Sequence, residues 1–148
     1  EVVLAALDDA PQTSPEIESM LALDWLAPDA AAMALPFVVA YTGVWNRHRT
    51  IFRVRNLAAE EGDDRFYQAR MRAARPVIEA MSAQIGRAQS AGRVPAGLSP
   101  RACAGTVLMM LERLAAIGPI TEAQDGMNYG LLKEAAAYTI SCMVGARD

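Results

Sequence analysis

"DRFYQARMRAARPVIEAMSAQIGRAQSA", residues 64–91, decides what fold this chain can adopt. Its apolar residues fall at Tyr67, Met71, Ala74, Ile78, Met81, Ile85 and Ala88, in alternating steps of four and three. That spacing lines one face of a helix and makes a continuous seam for packing against other helices. No stretch of the chain sustains the period of two that a strand needs. Asp63 or Asp64 supplies a cap for the first turn. Pro76 removes one backbone hydrogen bond in the middle and predicts a bend. A bent helix can wrap a cavity that a straight one would fill.

Upstream, Gly62 stops a helix through "IFRVRNLAAEE", residues 51–61. The basic "NRHRT" precedes it, and before that runs the uncharged "AAAMALPFVVAYTGVWN", residues 30–46. A membrane span needs about 20 apolar residues. This run of 17 carries Pro36 and Gly43 and reads as a buried core helix. "EIESMLALDWLA" forms an earlier helix, with Ser14 as cap and Pro15 at its first position. "EVVLAALDDA" begins in mid-helix and reads as the continuation of something upstream.

Downstream, the turn "AGRVPAGLSP" ends in a Ser99 cap and Pro100, which open the helix "RACAGTVLMMLERLAAI". Gly118-Pro119 ends it, "ITEAQDG" forms a loop, and "MNYGLLKEAAAYTISCMVG" is the last helix. The expected fold is all-α: one domain over residues 1–148, an antiparallel bundle of about six helices.

The last two helices lack a clean polar face. A single small domain cannot easily surround two such helices. One side then packs on the core and the other on a second copy, giving a homodimer through helices about 99–117 and 127–145, with an intermolecular four-helix bundle.

Composition limits the function. Apolar residues make up 53% and charged residues 21%, which excludes intrinsic disorder. A domain that binds nucleic acid unaided usually carries a basic excess, and a net charge of -3 argues against it here. Cys103 and Cys142 lie in apolar helical context and read as buried free thiols in a reducing cytoplasm. No signal peptide or membrane span is visible.

Catalytic chemistry finds no constellation. His48 is the one histidine, so no two-histidine metal site exists. "GRVPAGLS" lacks the Lys-Ser/Thr ending of a phosphate loop, and no nucleophile elbow is present. "EEGDD", residues 60–64, lacks calcium-loop spacing and reads as a helix stop followed by a cap. No enzyme, cofactor or metal is expected. Arg47, Arg49, Arg53 and Arg55 form either a solvated face or a basic rim.

A pocket remains. Phe37, Tyr41, Trp45 and Phe52 from the central helices can meet Val77, Ile78 and Met81 of the bent helix and Leu108, Leu111 and Glu112 of the following one. The mixture suits a small-molecule cleft, mostly apolar with few polar anchors, and the same residues also make a plain core. A buried ionised Glu112 is costly unless Arg113 or a ligand donor reaches it.

The helix "VWNRHRTIFR", the acidic turn after it, the long helix with Pro76 and its "AQSAG" end, the turn "RVPAGLSP", the small-residue start "RACAGTVLMM" and the closing "MVGARD" follow one another in an informative order. In this order the chain resembles the C-terminal regulatory domain of TetR-family transcriptional regulators over roughly residues 29 to 145. "LMMLERLAAI" is similar to a segment of the branch containing the mycobacterial ethionamide-resistance regulator. The resemblance implies a dimer through the last two helices. It also implies operator DNA bound only through an N-terminal head absent from this chain, and a ligand that changes the spacing of two such heads.

By position, the resemblance implies pocket-lining roles for Leu35, Asn46, Ala74, Val77, Met81, Leu108, Leu111, Glu112 and Thr139, and leaves as polar anchors Glu112 and either Asn46 or Tyr138. Ala74, Val77, Leu108 and Leu111 stand where several residues of that branch are larger or polar, so a roomy apolar cavity is expected. Its ligand is a small hydrophobic effector, uncharged or cationic, with Glu112 as polar contact. The reading from another class is a stand-alone helical carrier or adaptor without DNA binding.

Overall fold

The computed structural model describes residues 2–10, 13–118 and 127–146. Among them are seven α-helices and one turn of 3-10 helix, and no strand. The helices are α1 (Val2–Asp9), α2 (Pro15–Ala22), α3 (Ala34–Arg47), α4 (Arg49–Glu60), α5 (Asp64–Ser90), α6 (Pro100–Ile117) and α7 (Tyr129–Met143). The 3-10 turn, Ala30–Met33, leads into α3. The segment 120–126, read as a loop from sequence, lies outside the described residues.

The capping signals work locally. The amides of Ile17, Ala102 and Leu131 donate to the side-chain oxygens of Ser14, Ser99 and Asn128, which satisfies donors left open at three helix starts. α5 runs unbroken through Pro76, which faces solvent. Its buried face holds Ala74, Val77, Met81, Gln84, Ile85 and Ala88 but begins at Phe66. Tyr67 and Met71, placed on the seam from sequence, are exposed.

α2 ends at Ala22, earlier than the apolar pattern suggested. The buried Gln84 amide donates to the carbonyl oxygens of Leu21 and Leu23 at 2.8 and 2.7 Å, taking over acceptors that a further turn would have used. The Trp25 indole donates to the Met20 carbonyl at 2.9 Å and packs edge-on against Phe37.

The basic segment breaks the chain at His48, between α3 and α4. The break lets the Arg49 guanidinium reach the last turn of α6, where it donates to the carbonyls of Ala115 and Ala116 at 2.9 Å each. Arginine at a helix C-terminus complements both the open acceptors and the dipole. Gly118 makes the approach feasible: its φ is 73°, and a Cβ there would lie 2.4 Å from the Arg49 guanidinium. Two of the four arginines read as a solvated face or rim are thus anchored inside the fold, Arg49 here and Arg55 below.

α5 and α6 form the most extensive helix pair; α4 packs on α5, and α3 on α6 and α7. Phe37, Met81, Ile85, Leu111 and Ile140 are almost wholly buried at the centre. Gly145, just beyond α7, closes this end of the bundle. Its φ is 69°, and a Cβ would lie 2.8 Å from Ala88 Cβ and 2.9 Å from Arg93 Cβ. Gly145→Ala is expected to destabilise the domain by about 2–3 kcal/mol, from backbone strain and overpacking combined. Urea unfolding followed by circular dichroism measures this as a lower midpoint at unchanged slope.

Candidate functional site

Glu112 on α6 is buried between two guanidiniums. Arg70 of α5 donates to one carboxylate oxygen at 2.7 Å, and Arg55 of α4 lies 3.6 Å from the other. Arg113, the neighbour in sequence, is exposed and is not the partner. Arg55 is 2% exposed, stacks over the Phe52 ring at 4.9 Å and donates from Nε to Asn56 at 2.9 Å. Burial is the main influence on the Arg55 guanidinium and lowers its pKa, while Glu112 pushes the other way. Three helices therefore hold one carboxylate, and the charge that sequence left for a ligand is matched within the chain.

Around this cluster, Tyr41, Trp45, Phe52, Ala74, Val77, Leu108 and Glu112 converge, joined by Arg55 and Ala73. The space they leave is about 10 Å³, less than a single water needs with comfort. The expected roomy cavity is closed here. Trp45 and Phe52 meet edge-on at 5.5 Å between ring centres, and these rings fill the room that the smaller Ala74, Val77 and Leu108 leave.

The other sequence-derived positions lie elsewhere. Phe37, Met81 and Leu111 belong to the core but do not line the crevice, and Ile78 is half-buried. Leu35 is exposed, and Asn46 is exposed and accepts from Arg49. Tyr138 and Thr139 are both exposed on α7, with Tyr138 at 73%. The Thr139 hydroxyl donates to its own helix at Ala135.

Outside the crevice, and sharing Trp45 and Glu112 with it, lies an open groove of about 240 Å³. Arg53, Asn56, Leu57 and Glu60 of α4, Arg70 of α5, and Met109, Arg113 and Ala116 of α6 complete its walls. Ala73 also lines a hollow of about 240 Å³ between α1 and α5.

Sequence reading missed Arg55 and Arg70. Arg55 stands one turn after Phe52 and shares its buried face. A seam started at Phe66 rather than Tyr67 continues through Arg70, Ala74 and Val77, placing Arg70 on the packing side. The thiols also differ from expectation: Cys103 is buried, but Cys142 is exposed because its side of α7 faces away from the core. Among the described residues no group of three or more His, Cys, Asp or Glu side chains can hold a metal ion, and no helix is long and apolar enough to cross a membrane.

Tyr41 reports on the cluster. Burial first, then the Glu112 carboxylate, raises its phenol pKa well above the ordinary value. A raised folded pKa adds stability that is complete below the unfolded value near 10 and is lost as pH climbs past it. Unfolding free energy should therefore fall above pH 10, with this one residue contributing up to about 1.4 kcal/mol per pH unit. Tyr41→Phe should flatten that fall, as measured by denaturant titrations at pH 9 to 11.

The family model described as Tetracyclin repressor-like, C-terminal domain, matches residues 19–144. No curated protein and no solved structure gives a significant match. The matched span begins in α2 and closes at the residue after α7, so it takes in the three helices that hold Glu112. The chain belongs to the family of tetracyclin repressor-like C-terminal domains, the regulatory, ligand-binding part of TetR-type regulators.

Proposed function

We propose that this chain is the effector-sensing, dimerising part of a cytoplasmic transcriptional repressor, with operator DNA bound by an N-terminal head upstream of Glu1. The effector is a small hydrophobic molecule seated where α3, α4, α5 and α6 converge on Tyr41, Trp45, Phe52, Ala74, Val77, Leu108 and Glu112. The observation that carries the reading is the Arg55–Glu112–Arg70 cluster buried among those aromatic and aliphatic side chains. Apolar packing of the same volume is often at least as stable as a buried ion pair. Charges kept inside an otherwise greasy junction, beside an open groove, support the reading of a recognition site.

The crevice must expand to admit a ligand. α4 carries Phe52 and Arg55 at the crevice, holds the end of α6 through Arg49, and packs on α1. An effector that wedges α4 outward thus moves α1, which leads toward the head, and shifts the spacing of two heads in a dimer. Two sites are then coupled through a rigid-body movement. The "LMMLERLAAI" segment supports a place near the ethionamide-resistance branch.

The dimer face is supported by an outward stripe. On α7, Leu131, Ala135, Tyr138 and Cys142 are exposed at steps of four, three and four. On α6, Met109 is 60% and Ile117 45% exposed. A second copy covers both helices by a two-fold axis.

Mass spectrometry of small molecules that copurify with the protein, followed by rebinding of the recovered compound to stripped protein, tests the function. A hydrophobic molecule that raises the melting temperature on rebinding supports it. An empty protein that no hydrophobic compound stabilises contradicts it. A helix-turn-helix pattern in the residues before Glu1 supports the regulator; a natural start at Glu1 supports the carrier.

A further inference from the structure

The groove over Glu112 is basic, in a chain whose net charge is -3. Arg53, Arg70 and Arg113 line it against Glu60 and Glu112, and Arg55 stands directly behind Glu112. Four guanidiniums thus meet two carboxylates. Glu112 already receives Arg70 at 2.7 Å and faces Arg55 at 3.6 Å, so its charge is spoken for. Among the described residues, neither Arg53 nor Arg113 takes part in an ion pair. The walls beside them, Trp45, Leu57, Met109 and Ala116, are apolar.

We propose that the effector of this groove carries an anionic head, a carboxylate on an apolar body, held by Arg53 and Arg113 while its tail lies toward Trp45. This rests on reading the groove and crevice as the effector site, and it reverses the expectation of an uncharged or cationic ligand. The planar guanidinium fork matches a carboxylate in two parallel hydrogen bonds, and the partly screened rim lets the acid arrive without complete loss of its hydration. A cation entering the same groove meets a surplus of positive charge. Its one buried carboxylate partner would have to be taken from Arg70. Met109 and Arg113 stand on the exposed side of α6, the side whose Met109 and Ile117 also serve the proposed dimer face, so a ligand held there lies against that face.

Three probes with one tail separate the alternatives: octanoate, 1-octanol and octyltrimethylammonium, titrated calorimetrically into the purified chain. The proposal expects octanoate to bind about tenfold more tightly than octanol, the ammonium to bind most weakly, and the octanoate advantage to shrink in high salt. The exposed double variant Arg53→Gln/Arg113→Gln should erase that advantage, so that octanoate binds no more tightly than octanol. Equal binding of octanoate and octanol, or tighter binding of the ammonium, would overturn the anionic head while leaving an effector site in place. An octanoate affinity untouched in the double variant would overturn the roles of Arg53 and Arg113. Failure of all three probes to bind at millimolar concentration would remove the effector site itself.

Discussion

Glu112→Ala should lower the free energy of unfolding by about 3–5 kcal/mol, the range for removing one partner of a buried ion pair. The side chain is 11% exposed and Arg55 2% exposed, so little water reaches the charge that would be left. Arg70 is 29% exposed and can swing its guanidinium outward; Arg55 has no such route. The cost therefore falls mainly on α4, whose N-terminal end also holds the last turn of α6 through Arg49. Loss of Glu112 should loosen α4 before the rest, visible as faster hydrogen exchange across Arg49–Glu60.

The double variant Arg55→Met/Glu112→Leu separates charge from packing. Replacing a buried pair by apolar residues of similar volume is often neutral or stabilising, so this variant should unfold within about 1 kcal/mol of the parent. A single Glu112→Ala variant that unfolds within that same margin would mean that solvent reaches Arg55, contrary to its burial.

Tyr138→Asp should dissociate the proposed dimer. The side chain is 73% exposed in one copy and sits in the middle of the stripe Leu131, Ala135, Tyr138, Cys142. A two-fold interface is self-complementary, so each substitution enters twice. Loss of a tyrosine that acts as an interface hot spot costs at least about 2 kcal/mol, and with Tyr138 in that role two copies weaken the dimer on the order of 1,000-fold. Two carboxylates set close to one another add to that loss. Because Tyr138 contributes little to its own subunit's core, the helical content of the variant should be unchanged. Sedimentation at micromolar concentration reads the outcome, and an unaltered association constant would place the dimer face elsewhere.

Most of the fold was legible because helices announce themselves locally. Ser14, Ser99 and Asp63 each cap as their position suggested, with Pro15 and Pro100 beside them. The break at His48 falls in the basic segment that divided two helices in the sequence, but its anchor was not legible, since Arg49 reaches carbonyls 66 and 67 residues away. Nor was the early end of α2, which Gln84 fixes from a different helix. At the site, the apolar walls were found because they share helix faces, and Glu112 because a lone acid on an apolar face is unusual. Its partners escaped notice because arginine is read as a surface residue. Its long stem allows it to cross from α4 or α5 to α6, a distance that no local pattern records. Leu35, Asn46, Tyr138 and Thr139 came from positional resemblance, and side-chain direction on α3 and α7 carries them away from the crevice.

The proposed function requires that a second copy cover the exposed stripe of α7 together with Met109 and Ile117 of α6, joining two proposed effector sites into one regulator. The solution mass of the unmodified chain, by light scattering at micromolar concentration, tests this most directly. The account predicts twice 15.9 kDa. A persistent species of 15.9 kDa, with the face of α6 and α7 open to water, would contradict it.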